Sequence, residues 1–536
     1  MLQNAKKNEW IEGLNSMYDV IIKDGLIVDG KGEPGFVGSI GIIGDTIELL
    51  PPYIESPECG RLIEAQGKVI CPGFIDMHSH SELSLLTDPY HEPKIRQGVT
   101  TEAIGMDGLS YAPCSDSNRL DLIKYLVALN GEIPDKFGWS TVGEFLQLFE
   151  NTSSCNVAYF VPHISVRVEV MGWEARLPTD SELKNMAELV KQGMADGAFG
   201  FSTGLTYTPG AYSDTNELIQ LAKAAGEFGG IYMTHSRYTL GDRLLDPFRE
   251  AVMVGRDAGV PVHISHFHSP VNGLGAEMIK LVDAALSDGI EVTFDQYPYP
   301  AASTILHSLL PYWVHAGGMD QLYKRIIDPG QREEIGEGIN PQWGGQTLDN
   351  YIFSHIGSEE NQEWIGRSIT DLANFKNMSV VDAVCELLVQ ERLNVGFVAR
   401  TGNEDNIRQI LLHDSQMVGS DGVMQGGQPN PRTYGTFPYV LGKFVREENL
   451  LSLPKAVRKM SYAPAQRLGL KDRGLLSNGM KADIVIFDEA EVGTQATFEN
   501  PKIYPSGIEY VLVNGEIVID ACEHTGKTPG VALRSR

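Results

Sequence analysis

The chain has 536 residues, 42% hydrophobic and 21% charged, a balance that supports a large buried core and excludes a disordered or fibrous protein. A formal net charge of -27 sets up a field that repels phosphate backbones and anionic lipid, so neither nucleic acid nor a membrane surface is expected as a partner. The six cysteines (Cys59, Cys71, Cys114, Cys155, Cys385 and Cys522) are scattered without a C-x-x-C pair, the usage of reduced thiols rather than of a disulfide framework.

The length predicts one large domain with a smaller companion. Met1 to Val20 has no apolar signal-peptide core and no later run is long enough to span a bilayer, so the expected location is the cytoplasm. From Tyr18 to Gly73, short β-type runs such as Asp19-Val20-Ile21-Ile22 and Ser39-Ile40-Gly41-Ile42-Ile43 alternate with Gly and Pro turns, predicting a small all-β unit. The apolar run Val69-Ile70-Cys71 then leads into Gly73-Phe74-Ile75-Asp76-Met77-His78-Ser79-His80. Side chains alternate along an extended strand, so His78 and His80 point the same way and can grip one metal ion. Taken alone, a His-x-His is as readily a solvated strand end.

Across residues 73–467 short apolar strands alternate with helical patterns, which predicts βα units and a parallel sheet. Polar residues recur where apolar strands stop: His235 after Gly230-Ile231-Tyr232-Met233-Thr234, His266 after Val262-His263-Ile264-Ser265, and Asp421 after Met417-Val418-Gly419-Ser420. A (β/α)8 barrel places its active site at such strand ends, so the predicted fold class is α/β, a TIM-like barrel. A lone strand-end histidine is more often structural. Four with the unit spacing of a barrel, together with an aspartate, are what a mono- or dinuclear hydrolytic zinc site requires. Residues 311–374, rich in Gly, Gln, Trp and charge, fit the alternation poorly and are expected to form an insertion that caps the pocket or meets a neighbouring subunit. The β texture returns in Ala482-Asp483-Ile484-Val485-Ile486-Phe487 and from Tyr510 to Val518. Residues 1–72 and 468–536 are therefore expected to complete one small β-sandwich domain.

The combination of His-x-His, two later strand-end histidines and a final Asp resembles the amidohydrolase superfamily. The stretch Gly197 to Gly210, Asp295-Gln296-Tyr297-Pro298-Tyr299 and Pro431-Arg432-Thr433-Tyr434-Gly435-Thr436-Phe437-Pro438 resemble its D-aminoacylase branch, the N-acyl-D-amino-acid deacylases. The likeness continues through Pro464-Ala465-Gln466-Arg467-Leu468-Gly469-Leu470 and Thr525-Gly526-Lys527-Thr528-Pro529-Gly530. It implies a hydrolase of a linear C–N amide bond, deacylating an N-acyl-D-amino acid or a related compound with one or two zinc ions or another divalent metal. It further implies that His78, His80 and Asp421 hold one metal position and that His235 and His266 hold the other. In Gly105-Met106-Asp107-Gly108, Asp107 stands where that branch carries a bridging cysteine, and a carboxylate is an acceptable ligand for zinc. An Asp that merely closes a turn is the alternative reading.

By the same resemblance Asp421 acts as general base and then acid, and His163, in Pro162-His163-Ile164-Ser165-Val166-Arg167, is a candidate for polarising the carbonyl, with a structural imidazole equally compatible. Arg432, Tyr297 and Ser303 match residues that hold a substrate carboxylate, and Tyr207 is a further candidate contact. The remaining carboxylate partner, a lysine, is replaced by His268, which exchanges a fixed positive charge for a titratable imidazole. That departure keeps a neutral amide or a cyclic, hydantoinase- or dihydroorotase-like amide open as substrate. A non-catalytic metal-binding scaffold is a more distant alternative, disfavoured because a structural zinc site closes all four positions and has no use for a strand-end base. The expected partner is a small-molecule amide, and homo-oligomerisation stays open.

Overall fold

The computed structural model describes residues 18–51, 58–134, 137–237, 243–342 and 348–535. Both ends of the chain enter one nine-stranded sheet. Its path runs Glu523–His524, Glu516–Asp520, Ile508–Val513, Ile484–Phe487, Val69–Pro72, Tyr18–Ile27, Phe36–Ile43 and Thr46–Leu50, with Cys59–Glu64 pairing beside Tyr18–Ile27. The join is antiparallel, Cys71 opposite Val485 and Ile70 opposite Ile486.

The two-residue period of a strand explains how this sheet is used. Ile70, Ile484 and Ile486 point into a core shared with Val20, Ile40 and Ile63. Val69, Cys71, Val485 and Phe487 point the other way and pack with Phe74, Phe437 and Val440.

In the middle of the chain the strands are parallel. Phe74–Asp76 pairs with Val99–Ile104, which pairs with Asn156–Tyr159. Val161–Pro162, Gly200–Gly204, Ile231–His235, Val262–Ile264, Val292–Gln296 and Gln416–Val418 follow in a second parallel sheet. Phe160 links the two sets, its N–H donating to Ile104 O at 2.9 Å. At the far edge Met77 N donates to Val418 O at 3.4 Å, and Gly422–Val423 pairs in parallel with Ser79–His80. These strands are buried almost throughout, as expected where helices cover a parallel sheet. Two of the helices start at side-chain caps readable in the sequence: Thr179 and Glu182 form a capping box before Asp180–Ala195, and Asp214 caps Thr215–Gly226.

Between Val292–Gln296 and Gln416–Val418 the alternation breaks. Ala302–Ile305, Val395–Ala399 and Tyr351–Ile356 form a three-stranded antiparallel sheet, flanked by helices that include Met319–Ile327, Ile369–Lys376 and Val380–Gln390. This excursion encloses residues 311–374 and leaves from the strand end that carries Asp295 and Tyr297. Among the described residues no helix is long and apolar enough to cross a membrane.

Candidate metal centre

One buried carboxylate fixes the backbone on both sides of the site. Asp76 Oδ1 accepts from His78 N at 3.1 Å and from Ser420 N at 2.8 Å, tying the His-x-His segment to the turn that carries Asp421. Asp421 N in turn donates to His78 O at 2.8 Å. The second oxygen of Asp76 pairs with Lys94 Nζ at 2.6 Å, and Lys94 also reaches Glu102 Oε1 at 3.1 Å. Burial pushes the Glu102 carboxyl up, but His91, 2.8 Å away, and Lys94 hold it below the ordinary carboxylate range. Charges this deeply buried are tolerable because each has a partner.

Above this network the candidate ligands converge. His78 Nε2, His80 Nε2, His235 Nδ1 and His266 Nε2 lie 3.5, 3.6, 3.5 and 3.3 Å from Asp107 Oδ2. Asp421 Oδ1 lies 3.6 Å from His78 Nε2 and 3.3 Å from His80 Nε2. Two groups of donor atoms result, His78–His80–Asp107–Asp421 and Asp107–His235–His266, each within 4.8 Å, and Asp107 belongs to both. Ligands about 2.0–2.2 Å from a tetrahedral zinc ion stand about 3.3–3.6 Å from one another, so these separations fit, while His235 Nδ1 and His266 Nε2 stand closer, 2.8 Å apart. His78 Nε2 and Asp107 Oδ1 are buried without a hydrogen-bond partner among the described residues, which leaves both as donors toward a cation.

The backbone is bent to make this arrangement. Asp107, His266 and Asp421 have φ of 55°, 32° and 48°, in the left-handed region that costs a non-glycine residue about 1–3 kcal/mol. Each bend turns a side chain inward just beyond a strand. The electrostatics agree with a cation site. Burial disfavours a charged His80, yet Asp107 and Asp421 lift its pKa to about 9. His78 is raised well above its ordinary value against burial by Asp107, Asp295 and Asp421, while Asp107, despite burial, is held well below its own by His78, His266 and His235. At His235 burial prevails and lowers the pKa. A divalent ion supplies the positive charge that these carboxylates attract, releasing protons as it binds.

Sequence reasoning missed the residues that orient the ligands. Asp295 Oδ2 lies 3.3 Å from His78 Nδ1 and 3.2 Å from His263 Nε2, and Asp295 Oδ1 accepts from His266 N at 2.9 Å. A carboxylate on Nδ1 leaves His78 Nε2 as the ligating nitrogen. Thr206 Oγ1 is 2.6 Å from His235 Nε2, and Glu82 Oε1 accepts from Gly105 N at 2.8 Å, steadying the turn that presents Asp107. Asp295 had a signal, a polar residue at a strand end opening the Asp-Gln-Tyr-Pro-Tyr motif. Glu82 had none.

On the substrate side Arg432, fully buried at the start of the helix Arg432–Tyr439, has Nη2 2.8 Å from Asp421 Oδ2. The same nitrogen donates to Ser303 Oγ at 3.1 Å, and the guanidinium lies 4.3 Å from the centre of the Tyr297 ring. Tyr297 OH is 3.0 Å from His268 Nε2. Arg432, Ser303, Tyr297 and His268 are thus brought together beside Asp421. Burial and the neighbouring His266 push His268 down to about 3, so it contributes a neutral imidazole and not the titratable charge that its residue type suggests. Tyr207 reaches Thr304 Oγ1 at 2.9 Å and has its ring 5.1 Å from that of His235. His163 joins neither ligand group: its Nε2 is 2.8 Å from Glu217 Oε1, and Glu217 also accepts from Arg167 Nη1 at 2.7 Å. Its Nδ1 is buried without a hydrogen-bond partner among the described residues.

A family model described as Amidohydrolase family matches residues 61–269 and 358–519. The chain is 32% identical over 523 residues to a D-aminoacylase of Alcaligenes xylosoxydans xylosoxydans, spanning 96% of this chain and 97% of that one. It is 33% identical over 519 residues to an N-acyl-D-glutamate deacylase of the same organism, spanning 96% of each. Among solved structures, an N-acyl-D-glutamate deacylase from Bordetella bronchiseptica, complexed with zinc and a phosphonate mimic of the reaction's tetrahedral intermediate, matches with a TM-score of 0.83. That match has 29% identity and covers 97% of this chain and 100% of that one.

Proposed function

The chain belongs to the amidohydrolase family, and on that premise we propose that it hydrolyses the linear amide bond of an N-acyl-D-amino acid or a related N-acyl compound, releasing the free amine and a carboxylic acid. The observation that carries this reading is the pair of ligand groups sharing Asp107, with Asp421 set between them and Arg432. In the same reading the parallel strands close into a (β/α)8 barrel whose C-terminal ends carry the site. The hydrogen bond from Met77 to Val418 and the pairing of Gly422–Val423 with Ser79–His80 support it, since they return the strand order to its start.

His78, His80, Asp107 and Asp421 would hold one divalent ion, and Asp107, His235 and His266 a second; zinc suits this set of imidazole and carboxylate donors. When bound, such an ion supplies Lewis acidity and lowers the pKa of its water to about 7. Asp421 faces the ligand group through Oδ1 and takes the proton of the attacking water, then returns it to the departing amine nitrogen. Burial pushes the Asp421 carboxyl up, but Arg432 and His78 hold it below the ordinary range, so it begins as the ionised base this role needs. Arg432 offers its planar fork to the substrate carboxylate, with Tyr297 and Ser303 completing the clasp. His268 holds Tyr297 in place through a neutral hydrogen bond, leaving Arg432 as the fixed positive charge of the clasp.

The test is amine release from paired N-acetyl-D- and N-acetyl-L-amino acids by zinc-reconstituted protein, with Asp421→Asn alongside. Cleavage of the D-substrates, reduced about 10²–10⁴-fold in the variant, is the expected result. Metal-loaded protein that turns over no acylated amino acid would overturn the proposal and direct attention to neutral or cyclic amides.

A further inference from the structure

Away from the metal centre, a cleft of about 580 Å³ opens between Lys31-Gly32, the segment that precedes the strand Gln416–Val418, and the helix Leu453–Met460. It lies where that strand begins, whereas Asp421 follows the strand's other end. Its size is that of a small-molecule site. Lys31, Lys455, Arg458 and Lys459 line it, and Asp414 is the one carboxylate among its lining residues. In a chain with a net charge of -27 this is a local reversal of sign.

The lining carries four cations against one carboxylate, an excess of positive charge that a bound anion would balance. Lys455 stands three and four residues before Arg458 and Lys459, so the three cations share a helix face and repel one another. Lys459 is only 4% exposed, and Asp414 acts on it through space, not as a hydrogen-bonded partner. Its Nζ donates to the main-chain carbonyls of His413 at 2.5 Å and Gln416 at 3.4 Å. An ammonium taken out of water is costly to the folded state, and burial, opposed by Asp414 and assisted by Arg458 and Lys455, brings this one down to about 7. Of the lining cations, Lys31 has an acidic partner, Asp29, at 3.4 Å.

We infer that this cleft is a binding site for a small molecule carrying a di- or triphosphate group. Several phosphate oxygens match the fork of Arg458 and the point charges of three lysines, whereas a single carboxylate would occupy one cation and leave the others unbalanced. Leu412, Leu450 and Leu451 give the cleft an apolar wall for the organic part of such a ligand. Bound phosphate keeps Lys459 charged and so strengthens its hold on His413 and Gln416 at the start of the strand that leads to Asp421. The inference is independent of the substrate of the metal centre.

Isothermal titration of the metal-loaded full-length protein with ATP and with tripolyphosphate, at physiological ionic strength, tests it. Saturable one-to-one binding below about 1 mM is expected, weakened about tenfold or more in Lys455→Glu/Arg458→Glu and in the milder Lys455→Ala/Arg458→Ala. These side chains are exposed or half-buried, and an unchanged circular dichroism spectrum and melting temperature of the ligand-free variants establish that they fold. Tighter binding of ATP than of tripolyphosphate would assign a part to the leucine wall, and equal binding would assign recognition to the phosphates alone. Absence of saturable binding by either probe, or binding undiminished in both variants, as expected if polyphosphate merely chelates the metal centre, would overturn the inference.

Discussion

Asp295 takes no proton in the proposed chemistry, yet its two oxygens touch His78, His263 and the backbone of His266. Burial alone would push its carboxyl up; His78 and His263 bring it down to about 2, so it stays ionised throughout the neutral range. Asp295→Asn preserves the shape and removes the charge that orients His78. Loss of such an outer partner costs about 10–100-fold in metal affinity, to be measured by competition with a chromophoric chelator. An affinity equal to that of the unaltered protein would show that the backbone alone positions His78. His268 teaches the complementary lesson, since a residue type known for titrating near neutrality is pushed to about 3 where it is buried beside other imidazoles.

Among the elements, the turn after Val99–Ile104 shows how local chain geometry decides a ligand. Gly105 has φ of 82°, and a Cβ there would stand 2.2 Å from Phe160 O, which no side chain tolerates. The turn it permits, pinned by Glu82, carries Asp107 to the one place common to both ligand groups. Gly105→Ala should therefore displace Asp107, costing about 1–3 kcal/mol from the backbone alone and lowering the metal bound per chain. Elemental analysis of the purified variant and its melting temperature check this, and full metal content at an unchanged melting temperature would refute it. A carboxylate in this turn leaves the ligand set without sulfur, so cobalt-substituted protein would lack a thiolate charge-transfer band.

For the whole molecule, the sheet built from both chain ends is more than an appendage. Phe487, near the far end of the chain, is fully buried in the same apolar cluster as Phe74, which leads to His78, and Phe437, which lies on the helix of Arg432. Phe487→Ala is expected to cost about 3–5 kcal/mol and to lower the melting temperature of the entire protein in a single calorimetric transition. Separation into two transitions would show instead that the end sheet and the parallel strands unfold independently.

Much of the site was legible because its residue types are costly at strand ends unless they have a task. His78, His80, His235, His266 and Asp421 stood out from their recurrence at strand ends, and the β texture of Ala482 to Phe487 announced a strand. Asp107 drew attention only through family likeness, and no local pattern reveals that one carboxylate serves two ligand groups. The pairing of Asp295 with His78 spans 217 positions, and that of Cys71 with Val485 joins opposite ends of the chain. Short-range chemistry, which side chains alternate and which residues cap or bend the backbone, is written residue by residue and determined the strands, the turns and the candidate ligands. Which remote groups meet, and how far burial shifts their charge, depends on distances and on a local dielectric that exist only once the chain has folded.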